Sequence, residues 1–138
     1  MQPSISIVRQ NDIKVVNIGG PLDNFITARS QRQDFIHIDL NRGPNTIVAD
    51  VNKVELSDII GHNVRCLRAS NVPFVAIPTG SFVEPNVFAR QAQGLRVRHI
   101  VITTGRFSEL PISEALSEAG FSVQRRVIHQ RVFITARQ

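Results

Sequence analysis

Apolar and polar residues alternate along the chain with two different periods. Ser4-Ile-Ser-Ile-Val8 and Ile13-Lys-Val-Val-Asn-Ile18 have strand character. Arg9-Gln-Asn-Asp12 between them is turn chemistry, so the chain is predicted to open with a β-hairpin. Gly19-Gly20-Pro21 ends the second strand sharply. Over residues 24–40, Phe25, Ile26, Phe35, Ile36 and Leu40 form an imperfect stripe that predicts a helix, broken at Asn41-Arg-Gly-Pro-Asn45. Thr46-Ile-Val-Ala-Asp-Val51 is an apolar run suited to a buried central strand. Ser57 is placed to cap a helix whose stripe is Ile60, Val64 and Leu67, ending near Asn71 with Cys66 inside it.

The second half is punctuated more clearly. Val72-Pro-Phe-Val-Ala-Ile77 predicts a strand with Pro73 near its start. Pro85 suits the first turn of a helix ending at Gly94, and Val97–Thr103 predicts a strand. Ile112, Ala115, Leu116 and Ala119 recur at i, i+3, i+4, i+7 before the stop at Gly120. Phe121–Ile128 and Val132–Ala136 predict two closing strands. Strands alternating with helices imply one α/β domain over residues 1–138. Its expected architecture is a mixed central sheet with parallel middle strands layered by helices, an N-terminal β-hairpin and extra C-terminal antiparallel strands.

Charge changes this picture. Residues 1–89 hold as many Lys and Arg as Asp and Glu, so the formal net charge of +5 comes from the last third, whose cations are all arginine. Arg96, Arg98, Arg125, Arg126, Arg131 and Arg137 are the candidate anion- or nucleic-acid-binding residues. The competing reading is charge that guards a sheet edge. The chain has no Trp or Tyr, which leaves Phe107, Phe121 and Phe133 as the aromatics for stacking on bases. A single cysteine, Cys66, allows no internal disulfide and fits a cytoplasmic setting. No apolar run approaches the ~18–20 residues of a membrane span.

Candidate chemistry is sparse. His37, His62, His99 and His129 lack metal-ligand spacing. No Gly-x-Gly-x-x-Gly, Walker-type loop or Gly-x-Ser-x-Gly is present. Asp50 lies at the end of an apolar run, where ligands bind in open α/β sheets, and with Asp58 is the only acidic pair singled out. No cofactor and no metal are expected on this reading, and the chain is expected to be non-catalytic.

Two segments together resemble the STAS domain of anti-sigma-factor antagonists and sulphate-transporter tails. Val16, Ile18, Gly20, Leu22 and Asp23 match its V-x-L-x-G-x-L-D pattern, and Asp50, Val54, Asp58 and Gly61 match its D-L-S-x-V-x-x-L-D-S-x-G pattern. The resemblance covers residues 4–119 and leaves 120–138 as a C-terminal strand extension. It implies a regulatory or scaffolding module that docks a protein partner through Asp23, Ser57, Asp58, Ile59, Ile60, Gly61 and His62. The family's phosphate-accepting position is Ile59 here, so its phosphorylation switch is expected to be absent.

Two alternatives stand beside that reading. One is a basic nucleic-acid-associated or viral assembly factor using the arginines, with self-association also open. The other rests on Ala119-Gly120 followed by Phe121-Ser-Val and Val132-Phe-Ile-Thr-Ala, which looks like the end of a class I methyltransferase. That likeness covers the last third only and implies a degenerate relative, because the glycine-rich cofactor loop is missing.

Overall fold

The computed structural model describes residues 13–19, 35–42, 46–77 and 80–138. They form a seven-stranded sheet of β1 (Val15–Gly19), β2 (Phe35–Asp39), β3 (Thr46–Val48), β4 (Cys66–Ser70), β5 (His99–Gly105), β6 (Ser122–Ile128) and β7 (Arg131–Arg137). Three helices join them among the described residues: α1 (Leu56–Ile60), α2 (Pro85–Leu95) and α3 (Arg106–Glu118). The strand order is β3-β2-β1-β4-β5-β7-β6. The first five strands in that order are parallel, and β7 runs antiparallel between β5 and β6. A mixed sheet with a parallel middle and antiparallel C-terminal strands is therefore the architecture. No described helix is long and apolar enough to cross a membrane.

Local chemistry explains the elements of the second half. Pro85 opens α2, where its missing N–H costs nothing. Arg96, in the left-handed region at φ 58°, closes α2, with the N–H groups of Arg96 and Val97 returning to Gln93 and Ala92. Gly120, at φ 96°, turns the chain out of α3 into β6. The alternation of β7 is complete: Val132, Ile134 and Ala136 are buried and the residues between them exposed. Register aligns these three with Thr104, Ile102 and Ile100 of β5, so they share one sheet face. Leu67, Ala69, Val16, Ile18, Ile36 and Ile38 extend that apolar face, and Leu56, Ile60, Phe88, Leu95, Ile112 and Leu116 of the helices pack in the same core. The Phe74 ring meets Phe88 edge-on at 5.3 Å.

The first half departs from the predicted elements. Phe35–Asp39, assigned to a helix from its stripe, is strand β2 with four consecutive buried residues. Residues 24–34 of that expected helix lie outside the described residues. Thr46–Val48 is the edge strand of the sheet and not a central one. The helix expected to reach Asn71 ends at Ile60, because Gly61 at φ 95° breaks it. Cys66–Ser70 is instead β4, at the middle of the sheet. Cys66 is half-buried there, and burial pushes its thiol up, which makes it a poor nucleophile. Val72–Ile77 forms no strand. Residues 4–8 of the expected hairpin lie outside the described residues. Both edges of β1 are taken by the parallel partners β2 and β4 over Val15–Ile18, so no edge is left there for a hairpin partner.

The sheet face opposite the described helices holds a buried polar trio across three strands. Ser70 Oγ donates to Asn17 Oδ1 at 2.8 Å, and Asn17 Nδ2 lies 3.3 Å from His37 Nδ1. Asn17 donates here only to a neutral imidazole whose Nδ1 carries no proton. Burial holds His37 below its usual 6.5, while the Asp39 charge pulls the other way. Below about pH 6.5 the unfolded chain therefore binds a proton that the folded chain refuses, and stability falls as the pH drops. His37→Gln is expected to flatten the decline in urea midpoint between about pH 7 and 5. An unchanged decline would place its origin in other groups.

Candidate functional site

Strand order reverses between β1 and β4, since the chain runs outward to β2 and β3 and then returns to β4 and β5 on the other side. Loops leaving the carboxyl ends of two such strands diverge and open a crevice, which is where open parallel sheets bind ligands. A cavity of about 560 Å³ lies there, bordered by Gly19, Asp39, Asp50, Asn71, Val72 and Phe82 among others. That volume falls in the range of small-molecule sites.

Each wall has a local cause. Gly19 ends β1 at φ 89°, and a Cβ at this position would collide with Cγ2 of Val72, so only glycine lets the two loops approach. Asp39 ends β2. Its Oδ1 accepts the N–H groups of Leu40 at 2.6 Å and Asn41 at 3.3 Å, which fixes the carboxylate at the strand end. Oδ2 has no hydrogen bond to a described residue. Asp50 follows β3, with Oδ1 taking the Asn52 N–H at 3.0 Å and Oδ2 at 4.0 Å from Lys53 Nζ. Asn71, in the left-handed region at φ 56°, follows β4 and is tied to β5 through the Thr103 carbonyl at 2.9 Å.

The opposite wall, residues 80–84, is stapled on both sides. Asn52 Nδ2 donates to the Phe82 carbonyl at 2.8 Å, and the Glu84 N–H donates to Asn52 Oδ1 at 2.9 Å. The Val83 N–H reaches the Pro73 carbonyl at 3.0 Å. Beneath this, Gln91 of α2 is buried and clamps the loop that carries Asp50. Its Nε2 donates to the carbonyls of Val51 at 2.9 Å and Val54 at 2.5 Å, and its Oε1 accepts the Leu56 N–H at 3.0 Å.

The cavity wall combines the apolar Ile18, Ile38, Val51 and Val72 with two carboxylates, and no Lys or Arg lines it among the described residues. The described part of the wall thus offers negative charge among apolar side chains, which would complement a neutral or cationic ligand. A carboxylate at the end of the second strand accepts ribose hydroxyls. Apolar side chains bracket a planar base, and negative charge complements an ammonium or sulfonium.

The expected partner-docking corner lies elsewhere, and its residues range from buried to exposed. Ile60 is 2% exposed in the core, and Ile59 packs against that core. Ser57 is half-buried beside Gly94 of α2. His62 Nδ1 donates to the Gly94 carbonyl at 2.7 Å. Gly61 is the helix breaker, and Asp58 is exposed. Ser57 does not cap α1; Glu55 holds the N-cap position without a side-chain bond. Asp23 lies outside the described residues. Of the acidic pair Asp50 and Asp58, only Asp50 borders the cavity. Asp39, Asn52, Asn71 and Gln91 carried no signal of their own. One was available: Phe35–Asp39 and Thr46–Asp50 are consecutive apolar runs that each end in aspartate.

The six arginines separate. Arg125 pairs with Glu109 of α3 at 3.4 Å. Register places Arg126, Arg131 and Arg137 on the other face of the sheet. Arg96 and Arg98 are exposed at the start of β5, next to the end of β7 that carries Arg137.

No protein-family model matches the sequence, and no curated protein matches it significantly. Solved structures do match in fold. A chain of the E. cuniculi Mtq2–Trm112 complex, responsible for methylation of the eRF1 translation termination factor, superposes with a TM-score of 0.58 at 18% identity, over 100% of this chain and 98% of that one. Spodoptera frugiperda DNMT2 gives 0.60 at 15% identity, over 91% of this chain and 50% of its own. Burkholderia thailandensis 1,6-didemethyltoxoflavin-N1-methyltransferase, with S-adenosylhomocysteine bound, gives 0.51 at 14% identity, over 99% and 77%. The chain spans only 39% to 47% of several other neighbours. These likenesses establish the methyltransferase fold. They overturn the STAS resemblance, whose two short motifs matched by spacing while the strand order belongs to another fold. They also overturn the expectation of a non-catalytic module, since the fold is an enzyme fold.

The clamp from α2 makes the cleft testable. Gln91→Leu keeps the volume but strands two carbonyls and an N–H. It is expected to cost about 2–4 kcal/mol in chemical unfolding and to speed hydrogen exchange across 50–56. A loss below about 0.5 kcal/mol, the range of ordinary surface changes, would contradict the clamp.

Proposed function

We propose that the cleft binds S-adenosylmethionine and that the chain is a methyl-transferring domain. The observation that carries this reading is the Asp39 carboxylate, held through Oδ1 at the end of β2 and bordering the crevice at the reversal of strand order. Support comes from the absence of Lys and Arg among the described lining residues, which favours a ligand without phosphates, and from the bound S-adenosylhomocysteine of one neighbour of the same fold.

Asp39 would hold the ribose hydroxyls, and Ile38 and Val51 would flank the base. Asp50, positioned by Gln91 through its loop, would keep the site negative. Gly19 would let the backbone come close to the ligand. The bound cofactor supplies a methyl group on a positively charged sulfur. Asn71, on the β4 side, offers an amide to orient an acceptor next to it. The sequence at the end of β1 has the pair Gly19-Gly20 in place of a longer glycine-rich motif, so most of the binding would fall on the two aspartates.

Isothermal titration is expected to show binding of S-adenosylmethionine and S-adenosylhomocysteine but not of ATP or NAD. Asp39→Ala is expected to weaken both about tenfold or more, the effect of a lost charge-assisted hydrogen bond. Binding unaffected by Asp39→Ala, or tighter binding of ATP, would overturn the assignment.

A further inference from the structure

A second surface lies away from the cleft, on the sheet face opposite the described helices. Strand register sets Arg126 of β6 beside Phe133 of β7, and Phe133 beside Thr103 of β5. Side chains alternate across a strand, so Arg131 and Arg137 share the face with Phe133. All three arginines are exposed, and none forms a salt bridge with a described residue. His99, exposed beside Arg137, adds to the same face. No Asp or Glu occupies β5, β6 or β7. Phe133 is 39% exposed between two fully buried neighbours, Val132 and Ile134.

Edge protection does not explain the whole of this arrangement. β6 is one edge of the sheet and carries Arg126, whereas Arg131 and Arg137 belong to β7, which is hydrogen-bonded on both sides. Nor does the fold require it, since the buried side of β7 already supplies its packing. A strand face with exposed guanidinium groups around an outward phenyl ring has the two components of a single-strand platform: cations for phosphates and a ring for bases.

We propose that the exposed face of β5, β7 and β6 binds single-stranded nucleic acid, with Arg126, Arg131 and Arg137 on phosphates and Phe133 stacked on a base. A duplex hides its base faces from a phenyl ring lying in a flat sheet. An acidic peptide or an anionic membrane would engage the arginines, but neither presents the ring with the regularly spaced planar faces of successive bases. Of the other two phenylalanines open to this role, Phe121 is buried in the core. Phe107, 89% exposed at the start of α3, lies beside the Arg131 end of the face, where Arg131, Phe107, Pro73 and Asn71 border a hollow of about 400 Å³. A strand lying along β7 would thus run toward Asn71. Binding at the platform does not rest on the cofactor assignment, and either can fail alone.

The test is fluorescence anisotropy with labelled oligo-U and oligo-dT of about 12 nucleotides, against a duplex of equal length and against phosphatidylserine vesicles, across a salt series. Single strands are expected to bind, with a log–log salt slope near −2 for three phosphate contacts of about 0.7 each. Arg126→Glu with Arg131→Glu is expected to weaken binding more than tenfold. Phe133→Leu, which keeps an apolar strand residue, is expected to weaken it about tenfold at unchanged salt slope. Arg125→Gln, on the other face, is expected to leave it unchanged, and thermal melts of each variant check folding. Tighter binding of duplex or vesicles, or full affinity in folded Phe133→Leu, would overturn the proposal.

Discussion

The structure depends on one topological constraint: β1 is paired in parallel on both sides, and the chain must leave it in one direction and return on the other. Each of these parallel strands delivers its loop to the same end of the sheet. Between β1 and β4 the loops part, and a crevice remains that backbone alone cannot fill. Gly19 keeps the crevice narrow by admitting Val72, while Gln91 and Asn52 hold the far wall in place with side-chain hydrogen bonds. The site is therefore a product of the fold's connectivity, furnished by a few polar residues.

How much of this was legible differs between the two halves of the chain. From Pro85 onward the elements could be read, because proline opens α2, Gly120 closes α3 and β7 alternates without interruption. The first half misleads for physical reasons. Buried parallel strands lack alternation, so Phe35–Asp39 merged into the apolar stripe before it. Ile60, Val64 and Leu67 have helical spacing by coincidence, although Gly61 intervenes; one belongs to α1, one to a loop and one to β4.

The site was less legible still. Asp39, Asp50 and Asn71 are brought together by strand order, which is a non-local property, and no two of them form a motif. Short patterns shared with an unrelated fold could therefore be matched by Asp50 and Asp58, although only Asp50 borders the cavity and Asp58 faces solvent. The C-terminal arginines show the same limit. Arg125 and Arg126 are neighbours in sequence but lie on opposite faces of β6, one paired with Glu109 and the other beside Phe133. Sequence clustering of charge overstated their unity, and register resolved it.

The central claim is that the crevice at the β1–β4 reversal is a nucleoside site. Amide chemical-shift mapping during titration with S-adenosylhomocysteine tests it most directly. The account predicts saturable shifts at Gly19, Leu40, Asn52 and Asn71, with β6 and β7 unmoved. Shifts confined to the β6–β7 face, or none at saturating ligand, would contradict it.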